Sequence, residues 1–269
     1  SMAASFACWN RWRSDFAQPE ARLCIDPLMD FQSIKQKSTE AFHLVRNRLP
    51  FGSGPLIGFG VMAAAFFAFW SIAEEILEGE GHSLDEDILL ALREPGDPSQ
   101  PIGPFWLEYS MTDITSLGGY TVLTLLLTAS AVYLISMKRW RHAAIAVGAV
   151  LSGTLLSSLL KLGFSRPRPE LVEHLTHAMS SSFPSGHATL SAIAYLTLGM
   201  IVAEAHERRR VKALIITGAV VTTLLVGMSR VFLGVHWPSD VLAGWALGTG
   251  WAMLWWLVLH MIKTRPPIS

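Results

Sequence analysis

Ser229 to Asp240 reads SRVFLGVHWPSD and lies between two long apolar segments. It sets a Ser-Arg pair ahead of His236 and places Asp240 four residues beyond that histidine. Spanning a bilayer requires none of these groups, and polar or ionisable residues at membrane depth are costly to keep there. A hydroxyl, a cation, an imidazole and a carboxylate gathered at the edge of an apolar bundle therefore mark a site. The flanking apolar runs decide the fold class, and the four polar groups pose the question of chemistry.

The chain is 51% hydrophobic and only 16% charged, with mean hydropathy +0.38, a balance that belongs to membrane proteins. Six apolar segments fall at 56–77, 120–137, 142–162, 187–205, 211–228 and 239–262, each close to the ~20 residues a helix needs to cross the hydrocarbon core. Small residues recur in them, such as Gly148, Ala149, Ser152 and Gly153 in the third and Gly244, Gly248 and Gly250 in the sixth. These permit close helix approach in lipid. Residues 78–119 are acidic, with Pro95, Pro98, Pro101 and Pro104 followed by Phe105, Trp106 and Tyr109, a pattern that predicts short interfacial helices with aromatic anchors. The expected fold is all-α: an integral membrane six-transmembrane-helix bundle with interfacial helices between spans one and two.

Three regions follow from this reading: a cytoplasmic N-terminal extension at 1–55, the six-helix domain at 56–262 and a cytoplasmic tail at 263–269. A weakly amphipathic helix fits residues 28–49, and a solvated extension is preferred there over membrane-surface contact. No cleavable signal peptide is expected, because the first fifty residues are polar and basic. Cys8 and Cys24 are the only cysteines and both precede the first span, so neither a structural disulfide nor a cysteine metal site is expected.

The formal charge is zero, which gives no pointer to nucleic acid, but its distribution sets an orientation. Seven Lys and Arg precede the first span, three lie in Lys138 to Arg141, four in Arg208 to Lys212, and Lys263 and Arg265 close the chain. In an even-numbered bundle all of these fall on one side. The other side holds Arg93, Lys161, Arg166, Arg168 and Arg230. By the positive-inside rule both termini are cytoplasmic and the Ser229 to Asp240 stretch faces outward.

Two further stretches end on that outward side, KLGFSRPRP at Lys161 to Pro169 and FPSGH at Phe183 to His187. Several cations with no paired-carboxylate or His/Cys ligand pattern suit an oxyanion, and planar guanidinium groups suit phosphate. A helix beginning at Pro184-Ser185-Gly186 adds N–H groups and a positive dipole end. A phosphate ester is the expected occupant, and two histidines allow double displacement: His236 attacks phosphorus with Asp240 on its other ring nitrogen, while His187 protonates the leaving oxygen and then activates water. Neither metal nor cofactor is required.

Lys161-x6-Arg168-Pro169, Pro184-Ser185-Gly186-His187 and Ser229-Arg230-x5-His236-x3-Asp240 together resemble the three-part signature of the type-2 phosphatidic acid phosphatase superfamily. That superfamily includes bacterial lipid phosphatases, glucose-6-phosphatase and vanadium haloperoxidases. The resemblance covers roughly residues 56 to 262 and is nearest to the bacterial branch of undecaprenyl-diphosphate and phosphatidylglycerol-phosphate phosphatases. It implies a six-helix membrane phosphatase acting on a lipid phosphate or diphosphate, with His236 as nucleophile, His187 as acid/base and Asp240 behind the nucleophile. Lys161, Arg168, Ser185, Gly186 and Arg230 would contact phosphate. It also implies a bacterial inner membrane with the site facing the periplasm, and a substrate drawn from among the membrane lipids.

Two rivals share these residues. One is a phosphotransferase passing phosphate to a lipid A or sugar hydroxyl, and the other a non-catalytic protein that binds or transports lipid phosphates. Binding alone needs the cations but neither histidine, which favours catalysis. Arg166 is either a contact to the second phosphate of a diphosphate or, as preferred, a turn residue facing solvent. Glu170, Glu173, His174 and His177 mimic metal-ligand spacing, yet a solvated helix after Pro169 is expected. Asp113 is read as a helix cap.

Overall fold

The computed structural model describes residues 53–79, 82–176 and 181–264. Most of the extension and tail, with Cys8, Cys24, Arg265 and His177, lies outside the described residues. The chain forms α1 (Ser53–Glu78), α2 (His82–Ala91), β1 (Arg93–Glu94), β2 (Asp97–Pro101), α3 (Phe105–Ser116), α4 (Tyr120–Ser136), α5 (Trp140–Phe164), α6 (Gly186–Glu204), α7 (Arg209–Phe232) and α8 (Pro238–Thr264). α1, α5, α6, α7 and α8 are each long and apolar enough to cross a membrane, and α3 with α4 makes a sixth span bent by 47°.

The bundle is organised around α6. It packs against α5, α7 and α8, while α8 also receives α1, and α4 leans on α5. A helix surrounded on all sides must be apolar all round and slender, and Ala188, Ala192, Ala194 and Gly199 of α6 meet both needs. The outer surface is the reverse of a soluble protein's. Phe67 is 72% exposed and Leu162 79% exposed, and such side chains crowd the periphery of the bundle. A surface of this kind is stable against acyl chains and not against water.

Between α1 and α3 the structure adds something that the all-α expectation lacks, a small antiparallel β1–β2 hairpin pairing Arg93 with Pro101 and Glu94 with Asp97. Pro98 and Pro101, read as part of an interfacial helical pattern, lie in β2. Asp113 is exposed inside α3 and not at its start, so the cap reading is corrected: Pro104 takes the N-cap position. The helix expected after Pro169 is likewise absent among the described residues. α5 ends at Phe164 with Ser165 in a left-handed conformation, φ 43°, and residues 165–176 run without helix. Pro167 and Pro169 keep α5 from running on, since neither can donate to a helical ladder and each turns the residue before it, Arg166 and Arg168, away from helical backbone.

The ends of four helices meet at one level. α5 ends and α6 begins there, and α7 ends as α8 begins. At the opposite level His142, Glu204 and Lys263 join α5, α6 and α8, with His142 Nε2 3.8 Å from Glu204 and Lys263 donating to the same carboxylate. The closeness of α6 to α8 depends on Gly248, where a Cβ would lie 2.5 Å from the Ala192 Cβ and 2.6 Å from the Thr189 carbonyl oxygen. Gly248→Leu is expected to lower thermal stability in detergent by roughly 1–3 kcal/mol or more. Gly60, with nothing within 4 Å of its Cβ position, should accept leucine, and equal melting of the two variants would remove the close-approach argument.

Candidate active site

Three connections bring the signature residues together at the four-helix end. The first is the stretch after α5. Arg168 Nη1 donates to the Val235 carbonyl at 2.5 Å and stands 3.3 Å from His236 Nε2. Lys161, one turn before the end of α5, donates to the Ser181 carbonyl at 2.6 Å. A Cβ on Gly186 would be 3.6 Å from its Cε, so the ammonium stem lies across the start of α6.

The second is the FPSGH loop. Phe183 is fully buried between Phe69 and Phe164, with ring centroids 5.8 Å and 4.7 Å away. This apolar anchor fixes the entry of α6, whose first N–H groups have no intrahelical acceptor. The Ser185 N–H is already used, donating to the Asp240 carbonyl at 3.0 Å. Its hydroxyl oxygen is buried without a hydrogen-bond partner. Ser185 can therefore offer a ligand its side chain, and the backbone donors expected from this loop reduce to those after it.

His187, in the first turn of α6, lies against the break between α3 and α4. A Cβ on Gly118 would come within 3.3 Å of the His187 ring and 2.4 Å of Val226, so only glycine lets that break close over the histidine. The break is tied down by Tyr195, whose hydroxyl donates to the Leu117 carbonyl at 2.9 Å. Thr115 of α3 accepts from Arg230 Nη1 at 3.0 Å, and Arg230 Nε is buried without a partner.

The third connection carries His236 and Asp240. Asp240 Oδ2 accepts from the Trp237 N–H at 3.0 Å and from the Ser182 hydroxyl, and lies 3.4 Å from His236 Nδ1. The distance to the ring is at the outer edge of hydrogen bonding. Burial pushes the His236 imidazole down to about 3, against the opposing pull of Asp240. Burial also lowers the Arg168 guanidinium from its ordinary value.

Arg166 is the main correction to the sequence reading. It is 5% exposed and so faces no solvent. Its Nη1 donates to Asp240 Oδ1 at 2.7 Å and to Ser239 Oγ at 2.8 Å, its Nη2 donates to Asp85 Oδ2 at 2.9 Å, and the guanidinium lies 5.6 Å from the Trp237 ring centroid. Its bonds run to carboxylates behind the site. Sequence reasoning also missed Asp85, Thr115, Ser182 and Ser239. Asp85 and Leu89 are the buried members of 83–91, four apart on one face of α2, and Arg93 is buried just beyond it in β1. That spacing was visible, but nothing in sequence showed which face of α2 would be covered.

A profile of the PAP2 superfamily matches residues 142–264, which include all three signature segments. Phosphatidylglycerophosphatase B of Bacillus subtilis is 34% identical over 190 residues, spanning 68% of this chain and 87% of that protein. The chain belongs to the PAP2 superfamily. It is a membrane-embedded phosphatase of that family, and its fold agrees with a solved relative. The crystal structure described as the first transmembrane PAP2 type phosphatidylglycerolphosphate phosphatase from Bacillus subtilis superposes with TM-score 0.67 at 29% identity, over 77% of this chain and 98% of that one. A lipid A 1-phosphatase of Rhizobium etli is 34% identical over 124 residues, 43% of this chain and 48% of its own length. Among the described residues no three of His, Cys, Asp and Glu gather as metal ligands would.

The lowered value makes His236 neutral in the folded protein while the unfolded chain protonates it below 6.5. Stability from this group is therefore present above 6.5 and is lost as pH falls toward about 3. Nitrogen NMR of the imidazole, assigned with His236→Gln, should show a neutral ring from about pH 8 down to about pH 5. A protonation midpoint at the ordinary histidine value would show that burial does not hold the ring neutral.

Proposed function

We propose that this protein hydrolyses a lipid phosphate monoester or diphosphate at the outer leaflet of a bacterial inner membrane, through a phosphohistidine on His236. The observation that carries the reading is the placement of the two ring nitrogens of His236. Nδ1 is turned to Asp240, and Nε2 is turned to Arg168 at 3.3 Å, on the side of the cations. With the proton on Nδ1, donated toward Asp240, the Nε2 lone pair is available to phosphorus.

In the first step Nε2 attacks in line, the Nε2–P bond forms and the P–O bond to the lipid breaks. His187 gives its proton to the departing oxygen. Lys161, Arg168, Arg230, the Ser185 hydroxyl and the first N–H groups of α6 take the equatorial oxygens as charge spreads over them. In the second step His187 accepts a proton from water, the water oxygen bonds to phosphorus, and the Nε2–P bond breaks to release inorganic phosphate. Asp240 stabilises the positive character that the ring acquires while it carries the phosphoryl group. The scheme uses no metal. It also leaves Arg166 out of substrate contact, because that guanidinium is held by two carboxylates.

Orientation is supported by charge. Lys138, Arg139, Arg141, Arg208, Arg209, Arg210, Lys212 and Lys263 lie at the helix ends opposite the site, and the positive-inside rule sets that level in the cytoplasm together with both termini. Phosphatidylglycerol phosphate is the first substrate to try, because the relative of which this chain covers 87% is named for it. Undecaprenyl diphosphate, lipid A phosphate and phosphatidic acid follow.

Detergent-purified protein should release phosphate from one or more of these lipids in the presence of EDTA, and His236→Ala should cut the rate by about a thousandfold or more. Equal release by wild type and variant would remove the phosphohistidine. Loss of release in EDTA, restored by added metal, would show that the scheme lacks a component. A labelled phosphoenzyme that forms without hydrolysis and empties onto a lipid or sugar hydroxyl would move the assignment to a phosphotransferase.

A further inference from the structure

Asp85 sits on α2, outside every signature segment, and is 3% exposed, whereas Asp87 beside it is exposed. Its carboxylate is fully engaged with residues far along the chain. Oδ1 accepts the Ser239 N–H at 2.9 Å, and Oδ2 accepts Arg166 Nη2 at 2.9 Å and the Ser239 hydroxyl. We propose that Asp85 is a positioning residue for the nucleophile, acting through Arg166 on Asp240 and through Asp240 on His236. The proposal rests on the phosphohistidine reading and adds to it a part supplied by the segment between spans one and two.

Geometry supplies the first half of the argument. Arg166 bridges two carboxylates with different nitrogens, Nη1 to Asp240 and Nη2 to Asp85. A planar fork held at both tines cannot rotate. Because Oδ1 of Asp240 is bound to that fork, Oδ2 is directed at the Trp237 N–H, the Ser182 hydroxyl and the His236 ring. Release of the far tine would let the guanidinium turn about its bond to Asp240, and the carboxylate behind the nucleophile would turn with it.

Charge supplies the second half. Two carboxylates share one guanidinium, so the group behind His236 keeps a net negative charge. Arg168 from the stretch after α5 and Arg230 from α7 act on the ring with the opposite sign. Without Asp85 the Arg166–Asp240 pair would be neutral, and the ring would acquire its positive character with no net negative charge behind it.

A tether for α2 is the competing explanation, and the energetics disfavour it. Leu89 is already fully buried, and Arg93 donates to the Phe232 carbonyl at 3.1 Å at the end of α7. A buried ion pair adds little net stability over an apolar contact. Docking alone gives no reason for a carboxylate at this position.

The test compares Asp85→Asn and Asp85→Glu with wild type, reading kcat, KM and melting temperature in detergent on the best lipid substrate. The amide of Asp85→Asn keeps an acceptor for Ser239 but sets a donor or a neutral oxygen against Arg166. Its kcat should fall by about a hundredfold with KM almost unchanged, and Asp85→Glu should recover about tenfold of that loss. Wild-type kcat in Asp85→Asn overturns the proposal. So does an equal loss in the two variants, or a loss confined to melting temperature. If Asp85→Asn yields no folded protein, Ser239→Ala reads the same split, because it removes one arm of the clamp and leaves every charge in place: about a tenfold fall in kcat supports the proposal and an unchanged kcat overturns it. Wild type that releases no phosphate overturns the hydrolase reading first, and this proposal with it.

Discussion

The site depends on the Arg166 guanidinium held between Asp85 and Asp240. A lone carboxylate as deeply buried as Asp240 would carry a desolvation penalty of several kcal/mol, and the simplest relief would be to take up a proton. A protonated Asp240 could not support a cationic ring. The guanidinium removes that outcome, and Ser182 and the Trp237 N–H complete the remaining acceptor positions. Asp240 can therefore stay ionised next to His236, and each partner comes from a different part of the chain.

That convergence is possible because the apolar packing is close. α6 carries small side chains where α8 presses on it, and its N-terminus is anchored by Phe183 between two other rings. The result is that two helix starts and two helix ends arrive at one level with side chains a few ångströms apart. Lipid gives little force for helix association beyond contact itself, so positions such as Gly118 and Gly248, where a Cβ would collide, settle where the histidines stand. Packing in the bundle and geometry in the site are one property seen at two depths.

Much of this was legible in the sequence. Hydropathy located the spans because a membrane helix is specified by composition over ~20 residues and needs no partner to be recognised. The signature residues were legible because their spacing is tied to helix ends that hydropathy also marks. What stayed hidden was of another kind. Asp85 lies in an acidic run whose members look alike, and only the covered face of α2 distinguishes it from Asp87. Arg166 stands two residues from Arg168 and has the same side chain, yet one turns to carboxylates on the Nδ1 side of His236 and the other to its Nε2. The prolines at 167 and 169 fix that divergence by keeping α5 from running on through it, while the helix read beyond them rested on the spacing of Glu170, Glu173 and His174 alone. The β1–β2 hairpin escaped notice because two paired positions leave no periodic trace.

The cations of the site consequently divide by the company they keep. Arg166 is matched to carboxylates and its charge is compensated within the fold. Lys161 donates to a backbone carbonyl and Arg230 to a threonine hydroxyl, and among the described residues neither forms an ion pair with a carboxylate. Neutral acceptors orient a cation without cancelling it, so no carboxylate offsets these two groups at the four-helix end, where Arg230 is buried and Lys161 half-buried. On the proposed hydrolase reading a phosphate entering there would meet positive charge already in place, with little reorganisation left when charge shifts onto the equatorial oxygens. The same guanidinium and ammonium chemistry thus does opposite work on the two sides of His236. Behind the ring it is matched to carboxylates, and in front it meets only neutral acceptors, the arrangement that the proposed phosphate site requires.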